Sequence, residues 1–356
     1  MATLETTPEG LLKILTRNAQ AKIFTMAKGS PSTAKSAIGR EFAKLHNLFF
    51  IDIRLAQSDP TDLNGFPKLY AQSMSVNPDD TREYAAYVPF ETFPTESAEI
   101  PEGFDGWFLF FDELNSADRG VAKAAYKIIL DRCVGQFKLH DRVVMAGAGN
   151  LDTDGALTEE QGTALQSRMC NVKVGIDKVG FRNKTEEWGW DRRISSFLHF
   201  KPEMAHAFDP NSAGNEENYP CYRTWEFTNE LMKVIPENEF GDHESLVAVA
   251  GNLGEGCARE FLAFCKYEDK LPKISVIRRA PDTTAVPKES GHLFALTGSL
   301  ASHIDEDSID ALMTYTRRLP MEFQVITLRQ MIRRDRTLQR NPAVKAWISS
   351  NGQELF

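Results

Sequence analysis

The 356-residue sequence lacks the marks of an exported or membrane-embedded chain. No apolar run approaches the roughly 20 residues needed to span a bilayer. Met1 to Gly10 carries Glu5 and Glu9 and no apolar stretch, so no signal peptide is expected. Cysteine is scarce: Cys133, Cys170, Cys221, Cys257 and Cys265 include no C-x-x-C pair, and an odd number closes no disulfide framework. Reduced thiols and a cytoplasmic location are the expectation. The seven histidines show no metal-ligand spacing and read as surface or packing residues. Positive charge is in deficit, with 41 Lys and Arg against 50 Asp and Glu and a net charge of -9. That excludes a protein whose whole surface coats nucleic acid or anionic lipid, while leaving room for a local basic patch. There is no internal repeat or low-complexity tract, and 42% hydrophobic with 26% charged residues is an ordinary globular balance.

What is present is an alternation of short apolar runs with amphipathic stretches in the first half. Strands are expected at Lys22–Ala27, Leu48–Ile53, Trp107–Phe111, Val143–Ala148 and Asn171–Val174, and helices at Ala34–Leu45 and Ala117–Asp131. Runs such as LFFIDI and WFLFF are apolar without alternation, as in strands covered on both faces. The order predicts an α/β fold: a parallel sheet with helices on both faces. Gly65–Gly106, rich in Pro, Asp, Ser and Thr, reads as a long functional insertion. After about Ser195 the strand signal stops and helical patterns take over. The expected division is a nucleotide-binding αβα domain over 1–195, a helical lid over 196–270, and a connector with a C-terminal helical region over 271–356.

Three strand ends carry the chemistry. Gly29-Ser30-Pro31-Ser32-Thr33-Ala34-Lys35-Ser36 lies between an expected strand and helix, and approximates G-x-x-x-x-G-K-[ST] with Ala34 in place of the second glycine. Such a loop turns backbone N–H groups around phosphate oxygens, at the positive end of a helix. Lys35 would bridge the β- and γ-phosphates of ATP and Ser36 would hold Mg2+. The bland alternative is a Ser/Pro-rich turn. The run WFLFF ends in Asp112 and Glu113, at the carboxyl edge where ligands of parallel sheets bind. Asp112 would orient the cation and Glu113 would polarise the attacking water; the alternative is a strand ending in solvated acids. Asn150 closes the run VVMAGAG and would reach the same edge, or simply begin a turn. Arg168, at the end of a short expected helix Ala164–Arg168, is a candidate for neutralising the transferring phosphoryl group, and Arg223, opening a helix in the second half, for folding over the nucleotide, against the commoner role of solvated surface arginines.

The ordered set GSPSTAKS, FIDIRLAQSDPTDLNGFPKL, WFLFFDELNSAD, VVMAGAGN with LDTDGA, LQSRM and YRTWEF resembles the MoxR-type branch of AAA+ ATPases over nearly the whole chain, most firmly Ala21–Val174. The resemblance implies a P-loop AAA+ αβα sandwich followed by an all-helical lid and a C-terminal helical part. It assigns Lys35 and Ser36 to Walker A and Asp112 and Glu113 to Walker B. Asn150 matches sensor 1, Arg168 the arginine finger and Arg223 the sensor 2 arginine. It further implies an ATP hydrolase using Mg2+ in a homo-oligomeric, hexameric ring. Such rings are chaperone-like remodellers of a protein substrate, often with a partner containing a von Willebrand factor A domain.

Two other functions compete. Arg317, Arg318, Arg329, Arg333, Arg334, Arg336 and Arg340 suggest a nucleic-acid-directed ATPase, against a solvated helix face or subunit contact. Ser32, where the family usually has glycine, and Ala34, which replaces the template's second glycine although this branch often carries alanine there, suggest a nucleotide-binding scaffold with little turnover.

Overall fold

The computed structural model describes residues 4–73, 81–151, 167–208, 218–236, 239–267 and 270–351. The chain divides into two compact units, Met1–Ile176 and Asp177–Phe356.

The first unit is built on a sheet of β1 (Glu5–Thr6), β2 (Thr25–Lys28), β3 (Phe49–Arg54), β6 (Trp107–Asp112), β9 (Val143–Gly149) and β10 (Cys170–Val174). Every pairing is parallel, in the order β1-β10-β2-β9-β6-β3. The carboxyl ends of β2, β3, β6 and β9 therefore share one edge.

Side-chain alternation along β6 explains why both faces are dry. Phe108 and Phe110 pack with Leu11 and Leu15 of α1 (Pro8–Gln20) and with Ile38 and Phe42 of α2 (Lys35–Leu45). Trp107, Leu109 and Phe111 face the opposite way, toward Val121, Ala125 and Ile128 of α4 (Arg119–Asp131) and Leu63 of α3 (Pro60–Asn64). Each fully buried aromatic contributes a few kcal/mol of transfer free energy, about 1.5–3 kcal/mol. The result is the expected three-layer αβα P-loop sandwich, with the loop after the interior strand β2.

The segment read as an insertion contains more order than its composition suggests. An antiparallel hairpin of β4 (Phe66–Ser73) and β5 (Thr81–Val88) stands outside the main sheet. A smaller hairpin, β7 (Cys133–Val134) with β8 (Phe137–Lys138), precedes β9. Helix α1 and strand β1 are additional to the expected elements.

The second unit is helical: α5 (Lys178–Glu187), α6 (Arg192–Phe200), α7 (Tyr222–Met232), α8 (His243–Leu253), α9 (Glu255–Cys265), α10 (Ile274–Arg279), α11 (Ser290–Ser302), α12 (Ile309–Thr316), α13 (Met321–Arg334) and α14 (Pro342–Asn351). Helix α10 lies in the stretch expected to be an extended connector. Helix α11 packs against both α6 and α13. Phe197 meets Trp225, Phe261 and Phe264 in one aromatic cluster, and Trp347, Leu328 and Met331 belong to a separate, mainly aliphatic core. Among the described residues no helix is long and apolar enough to cross a membrane.

Candidate nucleotide site at the carboxyl edge of the sheet

The phosphate loop is assembled from local backbone choices. Ser32 and Ala34 both adopt left-handed conformations, with φ of 59° and 64°. Such reversals turn successive N–H groups to one side, forming a concavity for an anion. Ala34 is also the N-cap of α2 and gives its first turn no side-chain acceptor, so the helix presents its end to a ligand rather than capping itself. The left-handed Ala34 carries a cost of about 1 kcal/mol that glycine would avoid. Gly29 has a different reason to be glycine: a Cβ there would lie 2.7 Å from the Val174 carbonyl oxygen and 2.9 Å from Thr33 Oγ1. Its N–H donates to Gly149 O at 3.2 Å, tying the loop to β9.

Lys35 is buried, at 8% exposure. Its Nζ donates to Gly29 O at 2.7 Å, Ser30 O at 2.9 Å and Thr33 Oγ1 at 3.3 Å. The ammonium therefore stands inside the curve of its own loop, where a point charge serves phosphate oxygens. Thr33, 1% exposed, donates in turn to Ser30 O at 2.9 Å and stiffens the turn. Pro31 lies in the same turn and is half-buried.

The loop and the acidic strand end meet directly. Ser36 Oγ donates to Asp112 Oδ2 at 2.6 Å, across 76 residues of sequence. Two hard oxygen donors at one point suit a divalent cation whose remaining ligands are phosphate and water, as for Mg2+. Among the described residues no group of three or more His, Cys, Asp or Glu side chains forms a closed metal cage. The other oxygen of Asp112 accepts from Glu113 N at 2.9 Å. Glu113 has φ of 56°, and Ser116 N donates to its carbonyl at 2.9 Å. A non-glycine residue in this region is strained, and such strain collects at functional sites.

Asn150 follows β9 at the same edge. Its backbone is held by Asn115, whose Nδ2 donates to Asn150 O at 2.7 Å and whose Oδ1 accepts from Asn150 N at 3.1 Å. Nothing in the sequence singles out Asn115: it lies two residues beyond Glu113 and 35 from its partner. The structure thus brings Gly29–Ser36, Asp112, Glu113 and Asn150 together.

Arg168 lies at the opposite edge of this sheet, and Arg223 belongs to the helical unit. Arg168 is exposed, in a turn two residues before β10; the residues expected to form a helix ahead of it, Ala164–Gln166, lie outside the described ones. In the β10–β2 register Cys170 sits beside Thr25 and Lys173 beside Lys28. Arg168 is therefore at the amino edge, about 20 Å along the strand direction from the phosphate loop at 3.3 Å per residue. Arg223 is exposed in the first turn of α7, in the helical unit. Its neighbour Tyr222 is buried and stacks on Phe181 at 4.2 Å, which fixes that helix start. Thr224 Oγ1 accepts from Cys221 N at 2.9 Å, as in a capping box.

Several arginines of the basic C-terminal stretch are engaged internally. Arg317 donates to Ala343 O at 3.2 Å, Arg318 to Thr284 O at 2.8 Å, and Arg334 to Trp190 O at 3.4 Å. Arg333 pairs with Glu186 at 2.8 Å.

No protein-family model and no curated protein sequence matches the chain. Among solved structures, NtrX from Brucella abortus is similar at 14% identity and a TM-score of 0.35, covering 100% of this chain and 68% of that one. A point mutant of RuvB from Thermotoga maritima is similar at 13% identity and a TM-score of 0.39, covering 87% and 88%. The function is accordingly read from this chain's own residues.

Proposed function

We propose that the chain is an AAA+ ATPase of MoxR type, which binds ATP with Mg2+ and hydrolyses it in a homo-oligomeric, hexameric ring. The observation that carries the reading is the Ser36–Asp112 hydrogen bond of 2.6 Å, which joins the phosphate loop to the acidic strand end in the geometry a nucleotide-bound cation needs. Bound Mg-ATP supplies the phosphoanhydride to be cleaved. Lys35 and the backbone N–H groups of Ser32–Ser36 would hold its phosphates, and Ser36 and Asp112 would hold the cation. Glu113 polarises the attacking water, and Asn150 orients it. Arg223 would fold over the nucleotide from the helical unit, whose division into a lid to residue 270 and a C-terminal part beyond belongs to the same proposal. The work done is remodelling or assembly of a protein partner, such as one with a von Willebrand factor A domain, in the cytoplasm. The nucleic-acid-directed alternative is weakened by the internal bonds of Arg317, Arg318, Arg333 and Arg334. The low-turnover scaffold is separated from the leading reading by a turnover assay.

The place of Arg168 supports a shared site. At the amino edge it is too far from its own phosphate loop to serve it, so it would serve the neighbouring subunit's nucleotide. Arg168→Ala should keep ATP binding and lose hydrolysis on the order of a thousandfold. Lys35→Ala should lose ATP binding. When the two variants are mixed, activity should partly return at interfaces that join an intact loop to an intact finger. Mixed rings that form and remain inactive would sink the shared site.

A further inference from the structure

Asn115 has no part in the chemistry just described, yet its setting is more constrained than that of most residues at the site. It is 3% exposed, in the turn that follows β6. Both hydrogen-bonding edges of its carboxamide are matched to both backbone groups of Asn150, at 2.7 and 3.1 Å. Turning the amide over would break both bonds, so its orientation is fixed. The space it fills is reserved by sequence: a Cβ on Gly149 would lie 2.1 Å from Asn115 Oδ1 and 2.8 Å from its Cγ. Beside it, Leu114 N donates to Ala148 O at 3.0 Å. The turn carrying Glu113 is thereby bolted to the end of the strand carrying Asn150, and two of those three bonds come from one side chain.

We propose that Asn115 is a positioning residue for hydrolysis: it touches neither nucleotide nor water, and acts by fixing Asn150 relative to Glu113. The inference rests on the ATPase reading. The water-polarising carboxylate and the polar group at the end of β9 sit on different strands, and each must be placed to a fraction of an ångström for attack to proceed. The register of β6 with β9 ends at Phe111 beside Gly147, so beyond it the spacing rests on the Leu114–Ala148 bond and on Asn115. Aspartate in its place keeps the acceptor for Asn150 N but sets a second oxygen against Asn150 O. Alanine removes both bonds.

The test is steady-state ATP turnover with parallel nucleotide-binding and thermal-unfolding measurements on the full chain. The proteins are the wild type, Asn115→Asp, Asn115→Ala, Asn150→Ala and the double variant Asn115→Ala with Asn150→Ala. Asn115→Ala should lower kcat on the order of tenfold to a hundredfold while ATP affinity holds. In the Asn150→Ala background the same change should cost little more, because the group being positioned is already gone. A general structural role would instead weaken binding and kcat together, and would act equally in both backgrounds; either result overturns the proposal. If Asn115→Ala does not fold, the near-isosteric Asn115→Asp carries the comparison, again with reduced kcat at unchanged affinity. Wild-type turnover in Asn115→Asp, or an Asn150→Ala variant with full activity, also overturns it. Turnover missing from the wild type itself removes the ATPase reading, and this inference with it, which keeps the two failures distinct.

Discussion

The two units handle charge in opposite ways. In the sheet unit the interior is aromatic and aliphatic, and the polar groups that matter collect at one strand edge: Lys35, Ser36, Asp112, Glu113 and Asn150. In the helical unit charge lies in the middle. Glu186 is wholly buried, and accepts from His199 Nε2 at 2.7 Å and Arg333 Nη1 at 2.8 Å. Burial alone would raise the Glu186 carboxyl; the His199 hydrogen bond and Arg333 outweigh it and hold it below its ordinary value. Burial also lowers the His199 imidazole, against the pull of Glu186. The geometry separates the cases. The trio satisfies itself and joins α5, α6 and α13, whereas the edge residues gather where β2, β6 and β9 end.

The sharpest way to break that contrast is to cut the trio. Arg333→Ala leaves Glu186 buried with one partner fewer, and should destabilise the helical unit by roughly 3 kcal/mol or more, measured by urea unfolding. The exposed Lys184–Glu187 pair on the same helix is the control; Lys184→Ala should change stability by less than about 0.5 kcal/mol. Equal effects would mean that the buried trio is not what holds these helices.

A milder perturbation is acid. His199 and Glu186 both have folded values below their ordinary 6.5 and 4.5. Folding therefore opposes protonation of each, and their contribution is intact above those ordinary values. It is lost as pH falls, first below about 6.5 through His199 and then below about 4.5 through Glu186. Replacing His199 with glutamine should flatten the upper part of that decline. An unchanged profile would show that the imidazole is not held neutral.

The smallest effect is expected in the phosphate loop. Ala34→Gly relieves a left-handed alanine and should raise the melting temperature slightly, by the equivalent of up to about 1 kcal/mol. A drop in stability would contradict the strain assigned to this position.

Much of this comparison is visible in sequence, but unevenly. Strands β2, β6 and β9 announce themselves because buried parallel strands are continuous apolar runs, and each ends in the residue that matters: Gly29 after Lys28, Asp112, and Asn150 after Gly149. The hairpin of β4 and β5 is hidden by its setting. Phe66 and Leu69 are exposed at 63% and 71%, so the apolar residues of β4 do not mark a buried face, and five prolines punctuate the segment from Gly65 to Gly106. Helix α1 is signalled by Thr7 at its N-cap, Pro8 in its first turn and the i, i+4 pair Leu11 and Leu15, a short pattern that is easily passed over. Asn115 is illegible because its partner is a backbone, which leaves no residue-type signature. The arginines of α13 look like a surface patch until Glu186, 147 residues from Arg333, is seen beneath one of them.

The central claim, that the carboxyl edge hydrolyses ATP, is tested most directly by ATP turnover and ATP binding measured together on the wild type and on Glu113→Gln. The substitution keeps shape and leaves the cradle of Lys35, Ser36 and Asp112 intact, while removing the carboxylate that polarises water. The account predicts magnesium-dependent turnover in the wild type, and unchanged binding with turnover reduced at least a hundredfold or so in the variant. Turnover at the wild-type rate in Glu113→Gln would contradict it.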